Sequence, residues 1–228
     1  MYPRRLTAPA GREARAPTLV RKVVNAVTLH KGWYSRGYLP HFDQPGLVQA
    51  ITFRLGDSIP TERRELWQEI LAQKNPTQKR AKIQALLDAG YGSCALRHPL
   101  IGQMVEDTLL YYDSKDYRLL AWVVMPNHVH ALIETLPGTP LATIIRRWKS
   151  QTAREANRIL GHRGRFWCAD YYDRYIRDSE HLLRAVLYIH GNPVKAGLVD
   201  RAEEWPFSSA RWLDALDATF HTPWEGDL

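Results

Sequence analysis

AWVVMPNHVHALIE, residues 121–134, decides how this chain folds. Two runs rich in β-branched and aromatic residues, Leu119–Met125 and His128–Ile133, are separated only by Pro126-Asn127, a dipeptide suited to a tight connection. The pattern predicts a β-hairpin whose second strand carries His128 and His130. Successive strand residues alternate faces, so two residues apart means one face and a spacing of about 6–7 Å along the strand. The two imidazoles can then converge on one divalent ion, while Val129, Ala131 and Ile133 face a core. The pair taken alone fits two satisfied, half-buried histidines somewhat better than a ligand pair, since His also serves structural roles.

Downstream of the hairpin, Leu141–Ile159 has helical periodicity, with Leu141, Ile144, Ile145, Trp148 and Thr152 on the buried side. Arg147, Gln151, Arg154 and Arg158 line a second stripe, with Arg146 and Lys149 adding charge beside it. Such a face is either simply solvated or contacts phosphate. Phe166–Arg177 reads as the last strand, its aromatics divided between packing and stacking on unpaired bases. Asp178 is a candidate N-cap for a helix over Glu180–His190. On that helix Arg184, Tyr188 and Asn192 recur every four residues, and Pro193 is expected to place the Asn192 amide at the helix end. A tyrosine there is ordinarily a packing residue, and asparagine before proline is ordinarily a turn residue.

Upstream, Leu47–Leu55 reads as the first strand, and the HKGWYSRGYLPHFDQPG stretch before it reads as a loop. A helical block follows: Thr61–Gln73, a break at Asn75-Pro76, a second helix capped by Thr77, and a third from Pro99 to about Tyr112. The element order is strand, helices, strand, strand, helix, strand, helix. It predicts an α+β, ferredoxin-like (βαββαβ) antiparallel sheet with helices on one face. A helical insertion over about 61–113 and a C-terminal tyrosine-bearing helix complete it. Residues 1–30, rich in Arg, Pro and Ala, read as a basic flexible arm; 31–200 form the domain, and 201–228 a C-terminal tail.

Composition narrows the partners. Among 228 residues, 31 Lys+Arg face 24 Asp+Glu, giving a formal charge of +7 and a pI near 9.5. The surplus favours a polyanion, nucleic acid above all. The N-terminus lacks the apolar core of a secretory signal, and no apolar run approaches the ~20 residues of a membrane span. Two isolated cysteines suggest neither a disulfide framework nor a zinc cluster. A cytoplasmic protein without a membrane partner is expected.

Taken together, AWVVMPNHVHALIE, FWCADYYDRYIRDSEHL, YIHGNPVKAGLV and WPFSS resemble the single-tyrosine HUH transposases and, among them, the REP-associated tyrosine transposases. The pieces occur in the family's order across most of residues 38–210. His-hydrophobe-His alone is weakly specific, but the hairpin form followed some sixty residues later by Tyr-x-x-x-Asn-Pro-Val-Lys-Ala-Gly is highly specific. The resemblance implies that His128 and His130 are metal ligands, Tyr188 the nucleophile and Asn192 the third ligand, a position often filled by Gln in related insertion-sequence enzymes. It also implies a Mg²⁺ or Mn²⁺ cofactor, single-stranded or hairpin DNA at palindromic repeats as partner, a 5′-phosphotyrosine intermediate, and DNA transposition as the outcome. DNA contacts are then expected from Arg147, Lys149, Arg154, Arg158, Arg184 and Lys195, in a monomer or homodimer. Two alternatives stay open: a non-catalytic DNA-hairpin binder on the same scaffold, and a metal-dependent hydrolase. The histidine-triad form of the latter needs a third His where this chain has Leu132.

Overall fold

The computed structural model describes residues 30–35 and 40–213, so the expected arm and the last fifteen residues lie outside the described residues. Four strands form the central sheet: β3 (Val48–Arg54), β4 (Tyr117–Val124), β5 (His128–Thr135) and β6 (Tyr172–Tyr175). Their spatial order is β4-β5-β3-β6, antiparallel throughout, which is the order a split βαββαβ chain produces. Ahead of them β1 (Gly32–Ser35) and β2 (Pro40–Asp43) pair antiparallel, where the sequence suggested a loop. Long-range contacts hold that pair. His41 and Phe42 both bond Asp173, more than 130 residues away, and no local pattern announces such a contact.

Register sorts the side chains. Phe53 lies opposite Val129 and Ile51 opposite Ala131, and these residues point to one face; Thr52 lies opposite His130 and Arg54 opposite His128 on the other. The first face is covered by α3 (Pro99–Tyr111) and α4 (Leu141–Ile159). Ile101, Val105 and Leu109 of α3 are buried, and the Trp148 ring of α4 stacks 5.8 Å from Phe53. Even the polar atoms in this layer are paired: Trp148 Nε1 donates to the Tyr117 hydroxyl, which donates to the Leu109 carbonyl. Helix α3 is thus the regular crossover between β3 and β4 and not part of an insertion.

The insertion is smaller, consisting of α1 (Arg64–Ala72) and α2 (Pro76–Asp88). Trp67, Ile70, Ile83, Leu86 and Leu87 give it a small core of its own. It lies on the second sheet face, where the Arg54 guanidinium sits 4.9 Å over Trp67. Asn75, not Thr77, caps α2: its Oδ1 accepts the N–H groups of Thr77 and Gln78. Beside the insertion on that face lies α5 (Ser179–Lys195), capped as expected by Asp178 accepting from His181 N. So two helices cover one face, and the insertion and the tyrosine helix cover the other.

Strand β4 is an edge strand, and the chain closes it. Residues 202–212, assigned to a tail from sequence, return along it: Val124 N bonds Phe207 O, and Trp122 N bonds Ser209 Oγ. The WPFSS motif therefore shields an otherwise open sheet edge. Phe207 also seats against Gly102 of α3, where a Cβ would fall 2.5 Å from its ring. Among the described residues, no helix is long and apolar enough to cross a membrane.

Candidate active site

The β4–β5 turn does more than reverse the chain. Asn127 is buried, and its Nδ2 donates to the carbonyls of Leu87 and Tyr91, at the C-terminal end of α2 and just beyond it, both at 3.1 Å. That fixes its Oδ1 as an acceptor, 2.7 Å from His128 Nδ1. Since an amide oxygen only accepts, His128 Nδ1 carries the proton and Nε2 presents a lone pair. His130 Nδ1 lies 2.7 Å from the Thr52 hydroxyl, its register partner on β3.

Both Nε2 atoms meet at 3.1 Å, with ring centroids 4.8 Å apart and planes at 86°. With His128 Nε2 as acceptor, the bond between them is His130 Nε2–H donating, and Thr52 donates to His130 Nδ1. Thr52 can serve the other tautomer as well, because a hydroxyl accepts as readily as it donates. Both rings are neutral. Burial, then the adjacent His130 imidazole, which disfavours a second proton on the pair, holds His128 well below the ordinary imidazole range; burial and the Lys195 ammonium pull His130 down to about 3.

The tyrosine helix delivers its side chains to this pair. The Tyr188 ring stands edge-on to His130, centroids 5.5 Å apart and planes at 77°, and the residue is 42% exposed. Burial and the Asp88 charge raise its hydroxyl above the ordinary phenol pKa, partly offset by the Asn192 amide. The helix does not stop before Pro193 but runs through it to Lys195. Proline withdraws one N–H from the helical ladder. Additional bonds brace that end: Asn192 Nδ2 donates to the Tyr188 carbonyl at 2.6 Å, and the Ala196 and Leu198 N–H groups close the last turn. Asn192 is therefore buried within the helix, and its Oδ1 accepts from Gln84 Nε2 at 3.0 Å. Gln84 also bonds Asp88, whose other oxygen pairs with Lys195 at 3.3 Å.

The donor set suits a divalent cation in one particular way. Among the described residues, no group of three His, Cys, Asp or Glu side chains converges to hold a metal ion. A cation here would meet two neutral imidazoles, while the Asn192 amide oxygen is engaged by Gln84 Nε2. If His130 moves its proton to Nδ1, with Thr52 turning to accept, two neutral Nε2 lone pairs converge as a borderline metal requires, and the hydrogen bonds at both Nδ1 atoms are the outer-shell partners such ligands ordinarily have.

The expected DNA contacts scatter. Arg184 pairs with Glu180 one turn away, and Lys195 with Asp88, both on the site face. The α4 residues lie on the opposite face of the sheet. Arg147 pairs with Asp116, Arg158 with Glu155, and Lys149 Nζ donates to the carbonyls of Cys168, Ala169 and Asp170. Arg147 and Arg154 line a shallow depression with Tyr112, Ser150 and Gln151. Phe166, Trp167 and Tyr171 are core residues, and only a short strand forms where a long one was expected. Sequence reasoning missed Thr52, Gln84 and the second function of Asn127. Only Asn127 had a usable signal, a buried-type position directly before the first histidine.

The family described as "Transposase IS200 like" matches residues 97–192, a stretch containing both histidines, Tyr188 and Asn192. The REP-associated tyrosine transposase of Escherichia coli K12 is 30% identical over 115 residues, covering 50% of this chain and 67% of that protein. A putative REP-associated tyrosine transposase of Haemophilus influenzae is 27% identical over 104 residues, 41% of this chain and 58% of its own length. Among solved structures, a REP-associated tyrosine transposase bound to a REP hairpin shares 22% identity and covers 85% of this chain, with a TM-score of 0.44.

Proposed function

The chain belongs to the REP-associated tyrosine transposases, and from that premise we propose that it cuts and rejoins one DNA strand beside palindromic repeat hairpins, with Tyr188 as nucleophile. The observation that supports this most is the meeting of Tyr188, from the last helix, with the His128–His130 pair of the hairpin, at 5.5 Å between the Tyr188 and His130 rings. Sixty residues separate these groups in the chain, and the fold unites them on one sheet face.

In this reading, Tyr188 Oη attacks a DNA phosphorus in line. The Oη–P bond forms, the bond from phosphorus to the 3′-oxygen breaks, the phenolic proton is lost, and the leaving 3′-oxygen takes up a proton. The result is a 5′-phosphotyrosine and a free 3′-hydroxyl. The covalent link keeps the phosphodiester energy, so a 3′-hydroxyl of another strand can reverse the step without ATP. His128, His130 and Asn192 would hold a divalent cation, Mg²⁺ or, given two imidazoles, preferably Mn²⁺. When bound, it supplies Lewis-acid stabilisation of the charge developing on the phosphate oxygens. Tyr188 keeps its proton at neutral pH, because burial and Asp88 both raise it. Arg184 and Lys195 are the cations at hand to ease that proton's loss, and each is held by a carboxylate, Glu180 and Asp88 respectively.

Incubation with single-stranded palindromic repeats and Mn²⁺ or Mg²⁺ should give a denaturation-stable protein–DNA adduct. Tyr188→Phe should abolish the adduct and leave hairpin binding intact. Loss of the adduct in Tyr172→Phe instead would identify a different nucleophile. Hairpin binding with no adduct in any divalent metal would support the non-catalytic binder.

A further inference from the structure

Helices α2 and α5 lie side by side and run in the same direction: Gln84 meets Asn192, and one turn on Asp88 meets Lys195. Arg80 shares the stripe of Gln84 and Asp88, one turn earlier, so it lies beside the α5 turn that leads up to Tyr188. On the neighbouring edge strand, Arg174 is the register partner of Ala50, two residues from Thr52, which places its side chain on the site face. Arg177 follows at the entrance to α5, and Arg184 precedes Tyr188 by one turn. All four arginines are exposed. Arg80 comes from α2, Arg174 from β6, Arg177 from the link between β6 and α5, and Arg184 from α5, the helix of Tyr188.

Their charges are felt mutually. Partial burial and then Arg80, Arg177 and Arg184 together pull the Arg174 guanidinium below its ordinary pKa. The nearby acids are few and occupied: Asp178 caps α5, and Glu180 pairs with Arg184. Among the described residues, Arg80, Arg174 and Arg177 have no acidic partner within ion-pair distance. Three guanidiniums without carboxylate partners, with the Glu180-paired Arg184 beside them, repel one another unless a polyanion lies over them.

We infer that Arg80, Arg174, Arg177 and Arg184 form a phosphate track that grips the single-stranded DNA flank leading into the tyrosine site, with the insertion helix supplying Arg80. The inference rests on the proposed DNA-cutting function. Recognition along this track is through the backbone and is indifferent to base sequence. It puts the insertion, which lies outside the βαββαβ frame, in direct contact with substrate.

The test is equilibrium binding of the full chain to a fluorescent oligothymidylate of about twenty nucleotides, without divalent metal, over a range of salt concentrations. For single strands each phosphate contact contributes about 0.7 to the slope of log affinity against log salt, so each loss costs about fivefold at roughly 0.1 M. Arg80→Ala and Arg174→Ala should each lower the slope by about that increment. The double variant should lose more than tenfold, and Arg80→Lys should retain most of the affinity. Arg118→Ala, which removes an exposed cation paired with Glu134 on β4 and β5, should change nothing. If the parent chain binds oligothymidylate and Arg80→Ala and Arg174→Ala bind with the same slope and affinity, the track is overturned while the DNA-cutting function stands. If the parent chain binds no single-stranded DNA, both fall.

Discussion

Two sets of buried histidines in this protein differ in charge, one cationic and one neutral. His41 is 0% exposed, as is His128, and His130 is only 3% exposed. Burial pulls down the pKa of every one of them. At His41 two carboxylates outweigh it: Asp173 lies 2.5 Å from Nδ1 and Asp170 3.1 Å from Nε2, and together they lift the imidazole to about 9. At the hairpin the partners are a neutral amide and a hydroxyl, Asn127 and Thr52, and burial wins. Depth therefore does not set the charge of an imidazole; the chemistry of its partner does. A carboxylate makes a latch, here tying β2 to the loop and strand of residues 170–173. An amide or hydroxyl makes a ring that keeps a lone pair for something else.

The contrast is broken most forcefully at the latch. Asp173→Asn removes one of the carboxylates around a buried cation, and losses of this kind cost about 3–5 kcal/mol. Urea unfolding should show that drop, whereas Mn²⁺ affinity at the hairpin pair, read by paramagnetic resonance titration, should not move. A smaller effect needs only buffer. The His41 pKa is raised above its ordinary 6.5, so the stability it contributes is fully present below about pH 6.5 and is lost as pH rises through about 9. Unfolding free energy should fall by about 2–3 kcal/mol over that window, and a His41→Gln variant should show no such fall. The smallest change belongs to the neutral pair. Thr52→Val deletes the hydroxyl behind His130 and should weaken Mn²⁺ binding by about 10–100-fold, the usual range for an outer-shell partner, while stability falls by only about 1 kcal/mol. Unchanged Mn²⁺ affinity in Thr52→Val would mean that the hydroxyl serves packing alone.

Much of this was readable from residue order. The hairpin followed from alternation around Pro126-Asn127, α4 from its buried stripe, and the start of α5 from Asp178, because each of those signals is local. What escaped depends on distance in the chain. The β1–β2 pair stands on His41 and Phe42 reaching Asp173, and the environment of Asn192 on Gln84, 108 residues before it. The helix through Pro193 escaped for a related reason: a local rule about proline was overridden by bonds from neighbouring side chains and backbone. The β6 strand shortened because Phe166, Trp167 and Tyr171, all strongly β-prone, are used to fill the core and not to extend a ladder. At the proposed site the candidate residues could be named from sequence, and the residues that orient them could not. Ligand and nucleophile types announce themselves by identity and spacing, whereas a supporting glutamine looks like any helix-surface amide.

Helix α2 touches the catalytic face at two ends of one scaffold. The carbonyls of Leu87 and Tyr91 grip Asn127 behind His128, while Gln84 and Asp88 engage Asn192 and Lys195 on the tyrosine helix. An excursion added between β3 and β4 thus works as a bridge joining the fixed half of the centre to the half that carries the phenol. Any swing of the tyrosine helix away from the hairpin, toward a second strand or a second subunit, must first unfasten Gln84 from Asn192 or drag the bridge along. Trimming the excursion would therefore release a constraint on travel as well as remove surface.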